Sequence, residues 1–384
     1  MTRIVCATSV ALGREAFSTL GEVVCVPEQE ISPEIVRNAD LLITRSKVRV
    51  GPSLLEGSRV SFVATATAGF DHIDTDYLST RGIAWTAAPG CNAHSVAEWV
   101  VAALLELHAH RGVPLEGSSI GIIGVGNVGS RVAALAPALG LAPLLNDPPR
   151  AALEPGPQWL DLRSLLSRTD IITLHVPLTD TGEYATREMV NCRFLEDMRP
   201  GSILINASRG EVVDEDCLLL ALEKGWLAET VLDVYENEPA IDPRVVRSAF
   251  LATPHIAGYS YEGRVRGTIM CYEEACRFLE VEPRWSPPVF TSEATRTLYV
   301  DPRGRSDLEA LHDVVSQAYN IRADDTALRN GMDLQPEERR AHFQRLRAQY
   351  PDRREFPSFK VRLAAPAPSL EERLRVLGFQ VDPH

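Results

Sequence analysis

Arg209, Glu238 and His255 follow one another along this 384-residue chain in an order that suits proton-coupled hydride transfer. Taking hydride from a secondary alcohol requires a base for the hydroxyl proton, and histidine titrates nearest to neutral pH. The reverse reaction requires the same group as an acid. A carboxylate beside the imidazole stabilises its cationic form, and Glu238, within Glu236-Asn237-Glu238-Pro239, is the candidate. A guanidinium grips a carboxylate through two parallel hydrogen bonds, which an ammonium cannot do. Arg209, at a predicted strand end, is placed for that task. Singly, each residue has a plainer reading: an ion-pair partner, a helix-capping acid, a core histidine. Their order behind a nucleotide fingerprint favours the catalytic one.

That fingerprint runs from Ser119 to Gly129, a short apolar strand followed by Gly124-Val125-Gly126-Asn127-Val128-Gly129 and the start of a helix. Gly124 permits a tight turn, Gly126 lets backbone approach a pyrophosphate, and Gly129 lets helix and strand pack closely. The helix N-terminal amides then face the phosphates. Such a glycine pattern alone is weak, since glycines also mark ordinary turns. Here the apolar run Leu139–Asn146 ends at Asp147, near the spacing expected for the acid that holds the ribose hydroxyls of NAD. Arg150 close by leaves NADP as a minority option.

The surrounding chain is that of a soluble globular protein, with 45% hydrophobic and 24% charged residues. A net charge of −13 argues against nucleic-acid or membrane-surface partners. The start, Met1-Thr2-Arg3-Ile4-Val5, enters a strand and carries no signal-peptide pattern. Seven scattered cysteines, without a CxxC pair, read as buried reduced thiols, and their odd number argues against a closed disulfide framework. Cytoplasm is the expected compartment. No metal-ligand pattern stands out; His94, His108 and His110 read as solvated or capping residues.

At this length more than one domain is expected. Strand candidates Arg3–Cys6, Val23–Val26, Leu41–Thr44, Phe62–Ala64 and Ile83–Thr86 alternate with helical stretches, which predicts a parallel, helix-flanked sheet without a glycine fingerprint of its own. Residues 1–95 with 256–280 are therefore assigned to a substrate domain. Residues 96–255 form the nucleotide-binding domain, entered through a helix opened by the capping pattern Ser95-Val96-Ala97-Glu98. A Pro-rich linker is expected at 281–293. Residues 294–384 read as a small α+β unit, with capping patterns at Ser306–Glu309 and Ser369–Glu372. Its helix at 337–350 is rich in arginine, followed by Arg353 and Arg354; such a cluster reads as a solvated face or as a seat for an anion or acidic neighbour.

With these stretches assembled, the sequence resembles the D-isomer-specific 2-hydroxyacid dehydrogenases. The matching segments are Gly124–Gly129 with Asp147, His175-Val176-Pro177-Leu178, Leu204–Gly210, Leu232–Pro239 and Thr253–Gly258. Within that family it is similar to a branch acting on 4-phosphoerythronate in pyridoxal phosphate biosynthesis. That likeness rests on Thr65–Gly69, Ala87–Ala93, Asp147–Arg150, His255–Tyr259, Ile321–Asp325 and Tyr350–Phe356. The resemblance implies two Rossmann-like, doubly wound parallel-sheet domains with NAD between them, plus a C-terminal dimerisation domain in a homodimer. It implies Arg209, Glu238 and His255 as active-site residues. Gly124, Gly126, Asn127, Val128, Gly129, Asp147, Val176, Ala207, Ser208, Arg209, Asp233 and Gly258 would line the NAD site. Ser46, Thr67 and Tyr259 would meet a small phosphorylated hydroxy acid. The chain departs from that branch at Ala7-Thr8-Ser9-Val10, usually acidic, and at Val176, commonly threonine. Competing readings are the same chemistry on another D-2-hydroxy acid, such as phosphoglycerate or glycerate, and a non-catalytic, NAD-sensing corepressor-like protein. For the phosphate's cationic partners, Arg45, Lys47 and the tail arginines are candidates.

Overall fold

The computed structural model describes residues 1–287 and 296–382. The chain divides into two compact units, Met1–Ala93 with Tyr259–Glu293 and His94–Gly258 with Ala294–His384. The C-terminal segment, expected as a domain of its own, thus groups with the glycine-fingerprint half. Of the linker expected at 281–293, residues 288–293 lie outside the described residues.

In the first unit, β1 (Arg3–Ala7), β2 (Glu22–Val26), β3 (Leu41–Thr44), β4 (Phe62–Thr65) and β5 (Ala84–Thr86) form a parallel sheet in the order β2-β1-β3-β4-β5. β3 and β4 are buried at every position, which is why they read as unbroken apolar runs rather than as alternation. The 18-residue helix Tyr261–Phe278 closes one face with Val265, Cys271, Tyr272 and Ala275. A Cβ at its Gly267 would sit 2.9 Å from the Ala66 carbonyl oxygen, so a glycine is needed for the helix to seat on the turn after β4.

In the second unit, β6 (Ser119–Ile123), β7 (Ala142–Asn146), β8 (Ile171–Leu174), β9 (Ser202–Asn206), β10 (Leu227–Leu232) and β11 (Leu251–Ala252) form a six-stranded parallel sheet in the order β7-β6-β8-β9-β10-β11. The two sheets share one plan. In each, the second strand lies on one side of the first and the third on the other, so the order reverses at β1/β3 and again at β6/β8. Ligands of open α/β sheets sit outside the carboxyl ends of the strands at such a reversal.

The C-terminal segment adds β12 (Arg296–Val300), β13 (Phe359–Leu363) and β14 (Gln380–Val381), parallel and in sequence order. Between β12 and β13, the helices Ile321–Arg329 and Pro336–Ala348 pack on the six-stranded core rather than on their own sheet. Leu328, Met332 and Phe343 join the same apolar cluster as Tyr235. Those contacts account for the two-unit division.

Three local expectations are corrected. The long helix begins at Ala93, so Ser95 and Glu98 lie inside it and do not cap it. Both are buried and turned to the C-terminal segment, Ser95 Oγ donating to Glu355 at 2.9 Å and Glu98 accepting from the Phe356 amide at 2.8 Å. Pro368 opens the helix Pro368–Val376, leaving Ser369 to bond Asp307 at 2.6 Å instead of capping. The Ser306–Glu309 box forms as expected, because there both reciprocal bonds are made. Finally, Cys192 and Cys217 are joined by a disulfide. An odd cysteine count speaks against a fully paired framework, yet it leaves room for one pair. These two are brought within 4.9 Å (Cα to Cα) where the helices Cys192–Asp197 and Glu215–Lys224 pack together. Among the described residues, no helix is long and apolar enough to cross a membrane.

Candidate active site

The glycine turn after β6 is shaped by two different demands. Gly124 has φ +84°, and a Cβ there would lie 2.7 Å from the His175 carbonyl; a Cβ on Gly129 would lie 2.0 Å from the Gly124 carbonyl. Those two glycines serve the protein's own packing. A Cβ on Gly126, by contrast, would meet nothing within 4 Å. Gly126 is also the N-cap of the helix Asn127–Leu135, which no side chain caps. Open backbone in front of uncapped first-turn amides is what a pyrophosphate requires. Asp147 stands at the end of β7, accepting from the Val125 amide at 2.8 Å and the Arg150 amide at 3.0 Å, which ties the turn to the strand beside it. Each oxygen keeps capacity for a ribose hydroxyl. The residues fit NAD. Arg150 is engaged locally, donating to the Val125 carbonyl at 2.6 Å and to Glu154 at 3.2 Å.

Beyond β10 the chain builds the chemical centre. Glu238 and His255 meet at 2.7 Å, Oε2 to Nδ1. Glu238 Oε1 takes the Tyr235 amide at 3.0 Å, so both carboxylate oxygens are fixed. Burial raises the Glu238 pKa, but His255, Arg347 and the Tyr235 amide outweigh it and hold the carboxyl below its usual range. Two non-glycine residues here, Asn237 (φ +60°) and His255 (φ +55°), adopt left-handed backbone, at a cost of about 1–3 kcal/mol each. What holds His255 there is Asp233. Its carbonyl accepts the His255 amide at 2.7 Å, and its buried carboxylate accepts the amides of Ile256 and Ala257 and the Thr253 hydroxyl. Burial pushes Asp233 up to about 6 against the lowering pull of His255 and these donors. Trp99 of the long helix completes the chain by donating to Thr253 Oγ1 at 3.1 Å.

Arg209 leaves the end of β9 in a turn shaped by Asn206, whose amide donates to the Arg209 carbonyl and whose oxygen accepts from Ser208 N and Oγ. Gly210 follows because a Cβ would fall 1.9 Å from the Tyr235 backbone. The turn bearing Arg209 and the segment leading to Glu238 are therefore in direct backbone contact. The second unit thus holds all three proposed catalytic residues and the expected NAD set: Gly124, Gly126, Asn127, Val128, Gly129, Asp147, Val176, Ala207, Ser208, Arg209 (in both), Asp233 and Gly258. Ser46, Thr67 and Tyr259 belong to the first unit. Ser46 is exposed in the turn after β3, Thr67 bonds Thr65 and the Gly69 carbonyl, each at 2.8 Å, after β4, and Tyr259 immediately precedes the helix cap Ser260.

Residues 91–257 match the family described as D-isomer specific 2-hydroxyacid dehydrogenase, NAD binding domain, and residues 293–378 match a domain of unknown function. The erythronate-4-phosphate dehydrogenase of Azotobacter vinelandii is 41% identical over 98% of this chain and 99% of its own. That of Salinibacter ruber is 44% identical over 90% of both. The chain belongs to the erythronate-4-phosphate dehydrogenase family. Among solved structures it is similar to the D-lactate dehydrogenase of Aquifex aeolicus complexed with NAD and lactic acid, with a TM-score of 0.60 and 27% identity over 72% of this chain and 95% of the other. As a member of these D-2-hydroxyacid dehydrogenases, the protein is an NAD-dependent dehydrogenase.

The family's C-terminal segment takes a larger part around this centre than its sequence suggests. Arg347, one of the helix arginines, reaches Glu238 Oε2 at 3.9 Å. Arg353 is buried rather than solvated, donating to the Ser95 and Ala257 carbonyls at 2.9 and 2.6 Å with its guanidinium 4.3 Å above the Tyr319 ring. Neither role has a local sequence signal beyond the density of arginine. His110, expected to be solvated or capping, joins a second cluster: Glu106, His110 and His312 bring potential metal-ligand atoms within 4.8 Å of one another. The Glu106 carboxylate there also accepts from Arg322 at 2.6 Å.

Proposed function

We propose that the protein oxidises 4-phospho-D-erythronate at C2, giving 2-oxo-3-hydroxy-4-phosphobutanoate in pyridoxal 5′-phosphate (vitamin B6) biosynthesis. The observation that carries the chemistry is the 2.7 Å bond between His255 and Glu238, held by an over-determined turn. The naming of full-length relatives supports the substrate. NAD, when bound, supplies the hydride acceptor. With Nδ1 committed to Glu238, the imidazole takes the C2 hydroxyl proton on Nε2 as the C2–H electron pair leaves as hydride, and the carbonyl forms. The ionised Glu238 stabilises the imidazolium that results. Arg209 pairs with the substrate carboxylate and sets C2 in place. Asp233, Gly124, Gly126, Asn127, Val128, Gly129, Asp147, Val176, Ala207, Ser208 and Gly258 hold the cofactor, and Ser46, Thr67 and Tyr259 meet the substrate. Glu238 is a positioning residue and Arg347 supports its charge.

The same reading places the enzyme in the cytoplasm as a homodimer joined through its C-terminal segment. An exposed Tyr299 on β12, an edge strand of the three-stranded sheet, supports such a contact. Steady-state kinetics with NAD on 4-phosphoerythronate, 3-phosphoglycerate and glycerate test the substrate. Preference for 4-phosphoerythronate by a factor of about 100 in kcat/KM is expected; preference for an unphosphorylated acid contradicts it.

A further inference from the structure

The reversal of strand order in the first sheet, between β1 and β3, gathers polar groups that the catalytic account leaves unused. Arg45 is the residue immediately after β3. Its Nη1 points at the Ser9 carbonyl of the turn after β1, 3.5 Å away, and its guanidinium lies 5.9 Å from the centre of the Tyr259 ring. Arg45 Nε and Ser9 Oγ are both buried without a hydrogen-bond partner in the structure, an unfavourable state for a polar atom unless something else bonds it. The helix Tyr261–Phe278 presents its first turns to the same place. Its Thr268 donates to the Ala11 carbonyl at 2.7 Å. Arg264 stands one turn earlier on that face, four residues from Thr268 and beside the N-terminus capped by Ser260.

We propose that Arg45 and Arg264 are the phosphate clamp of this enzyme, gripping a phosphomonoester dianion with Ser9 Oγ beside them. The proposal rests on the phosphorylated substrate of the preceding reading and names the cations which that reading lacks. Burial and the neighbouring Arg45 charge lower the Arg264 pKa, with Tyr259 and Tyr261 pulling the other way. Both arginines are half-buried, and their like charges oppose one another. An ester dianion, with up to two negative charges and three acceptor oxygens, relieves that repulsion and satisfies the orphaned donors at once. The positive end of the 18-residue helix adds to the same field. Position agrees as well, since the carboxyl ends at a strand-order reversal are where open α/β sheets take ligands.

The test uses the full-length enzyme with Arg45→Gln and Arg264→Gln, singly and together, assayed with NAD on 4-phosphoerythronate and on unphosphorylated erythronate. The ratio of kcat/KM for the phosphorylated over the plain acid is expected to fall about 10-fold in each single variant and about 100-fold in the double, mainly through KM. Arg264→Lys should recover part of the loss. In parallel, inorganic phosphate should raise the Tm of the wild type and leave that of the double variant unmoved. An unchanged ratio, or an equal phosphate shift in the double variant, overturns the clamp. If the double variant does not fold, the Arg→Lys singles decide by the same ratio. A wild type that ignores 4-phosphoerythronate yet keeps an arginine-dependent phosphate shift overturns the substrate reading and supports the clamp.

Discussion

The turns after β1 and β6 occupy equivalent places in their sheets and are built from opposite materials. After β6 the chain offers backbone: glycines at 124, 126 and 129, then a nine-residue helix with uncapped amides. After β1 the helix is five residues long, its N-cap Leu12 is left-handed, and Gly13 is pressed against Cys6 Sγ. No comparable amide cradle forms there. The cations of the proposed phosphate clamp come from distant stretches, Arg45 and Arg264. The third strands differ likewise. β3 is followed by the cation Arg45, and β8 by His175, whose buried ring is pushed down to about 3 and so stays neutral at physiological pH. In the proposed sites, one plan of strands meets negative charge by backbone geometry in one unit and by side chains in the other.

The comparison breaks most visibly at Gly129. Its replacement by alanine sets a Cβ against backbone at 2.0 Å, so a loss of about 3 kcal/mol in urea unfolding is expected, together with NADH binding by fluorescence. Gly13→Ala meets the movable Cys6 Sγ at 2.7 Å. It should cost about 1 kcal/mol and leave NADH affinity unchanged, because that turn holds no cofactor. Equal effects of the two substitutions on NADH binding would erase the contrast.

His175 gives the next largest effect. Burial depresses its folded pKa below the unfolded value, so the unfolded chain binds a proton first as pH falls below about 6.5, and stability is lost until the folded pKa near 3 is reached. Between pH 8 and pH 5 this amounts to about 2 kcal/mol. Denaturant midpoints at the two pH values should therefore converge in His175→Gln relative to the wild type. An unchanged pH dependence in the variant would remove the buried neutral imidazole from the account.

The smallest change in stability is expected at Gly126. With nothing within 4 Å of a Cβ there, Gly126→Ala should alter stability by less than about 1 kcal/mol, while NADH affinity drops at least about tenfold because the methyl occupies the ligand's space. A cofactor affinity equal to wild type would mean that the open backbone is not the pyrophosphate seat.

What the sequence revealed follows the same division. Backbone geometry is written in spacing, so the turn of Gly124, Gly126 and Gly129, with Asp147 after the next strand, was legible in the sequence as the proposed cofactor seat. A centre built from side chains drawn from far apart was legible only where the residue types were rare and ordered, as with the proposed catalytic set Arg209, Glu238 and His255, of which the structure pairs Glu238 with His255. Arg264 gave no signal and Arg353 only the local density of arginine, since an arginine on a helix or in a tail looks the same whether it is solvated or buried. The pattern Ser95-Val96-Ala97-Glu98 misled for a related reason: identical residue types serve as a helix cap or as buried tertiary partners, and the two extra residues at the helix start decided between them. The disulfide between Cys192 and Cys217 depended on two short helices packing together, which no spacing rule encodes.

The most direct test of the central claim is the full-length His255→Ala variant, compared with wild type for turnover of 4-phosphoerythronate and for NADH affinity by fluorescence titration. The account predicts kcat lower by about 1,000-fold or more, with NADH affinity within about twofold of wild type. Turnover within about tenfold of wild type would show that the proton goes elsewhere and would contradict the imidazole–carboxylate centre.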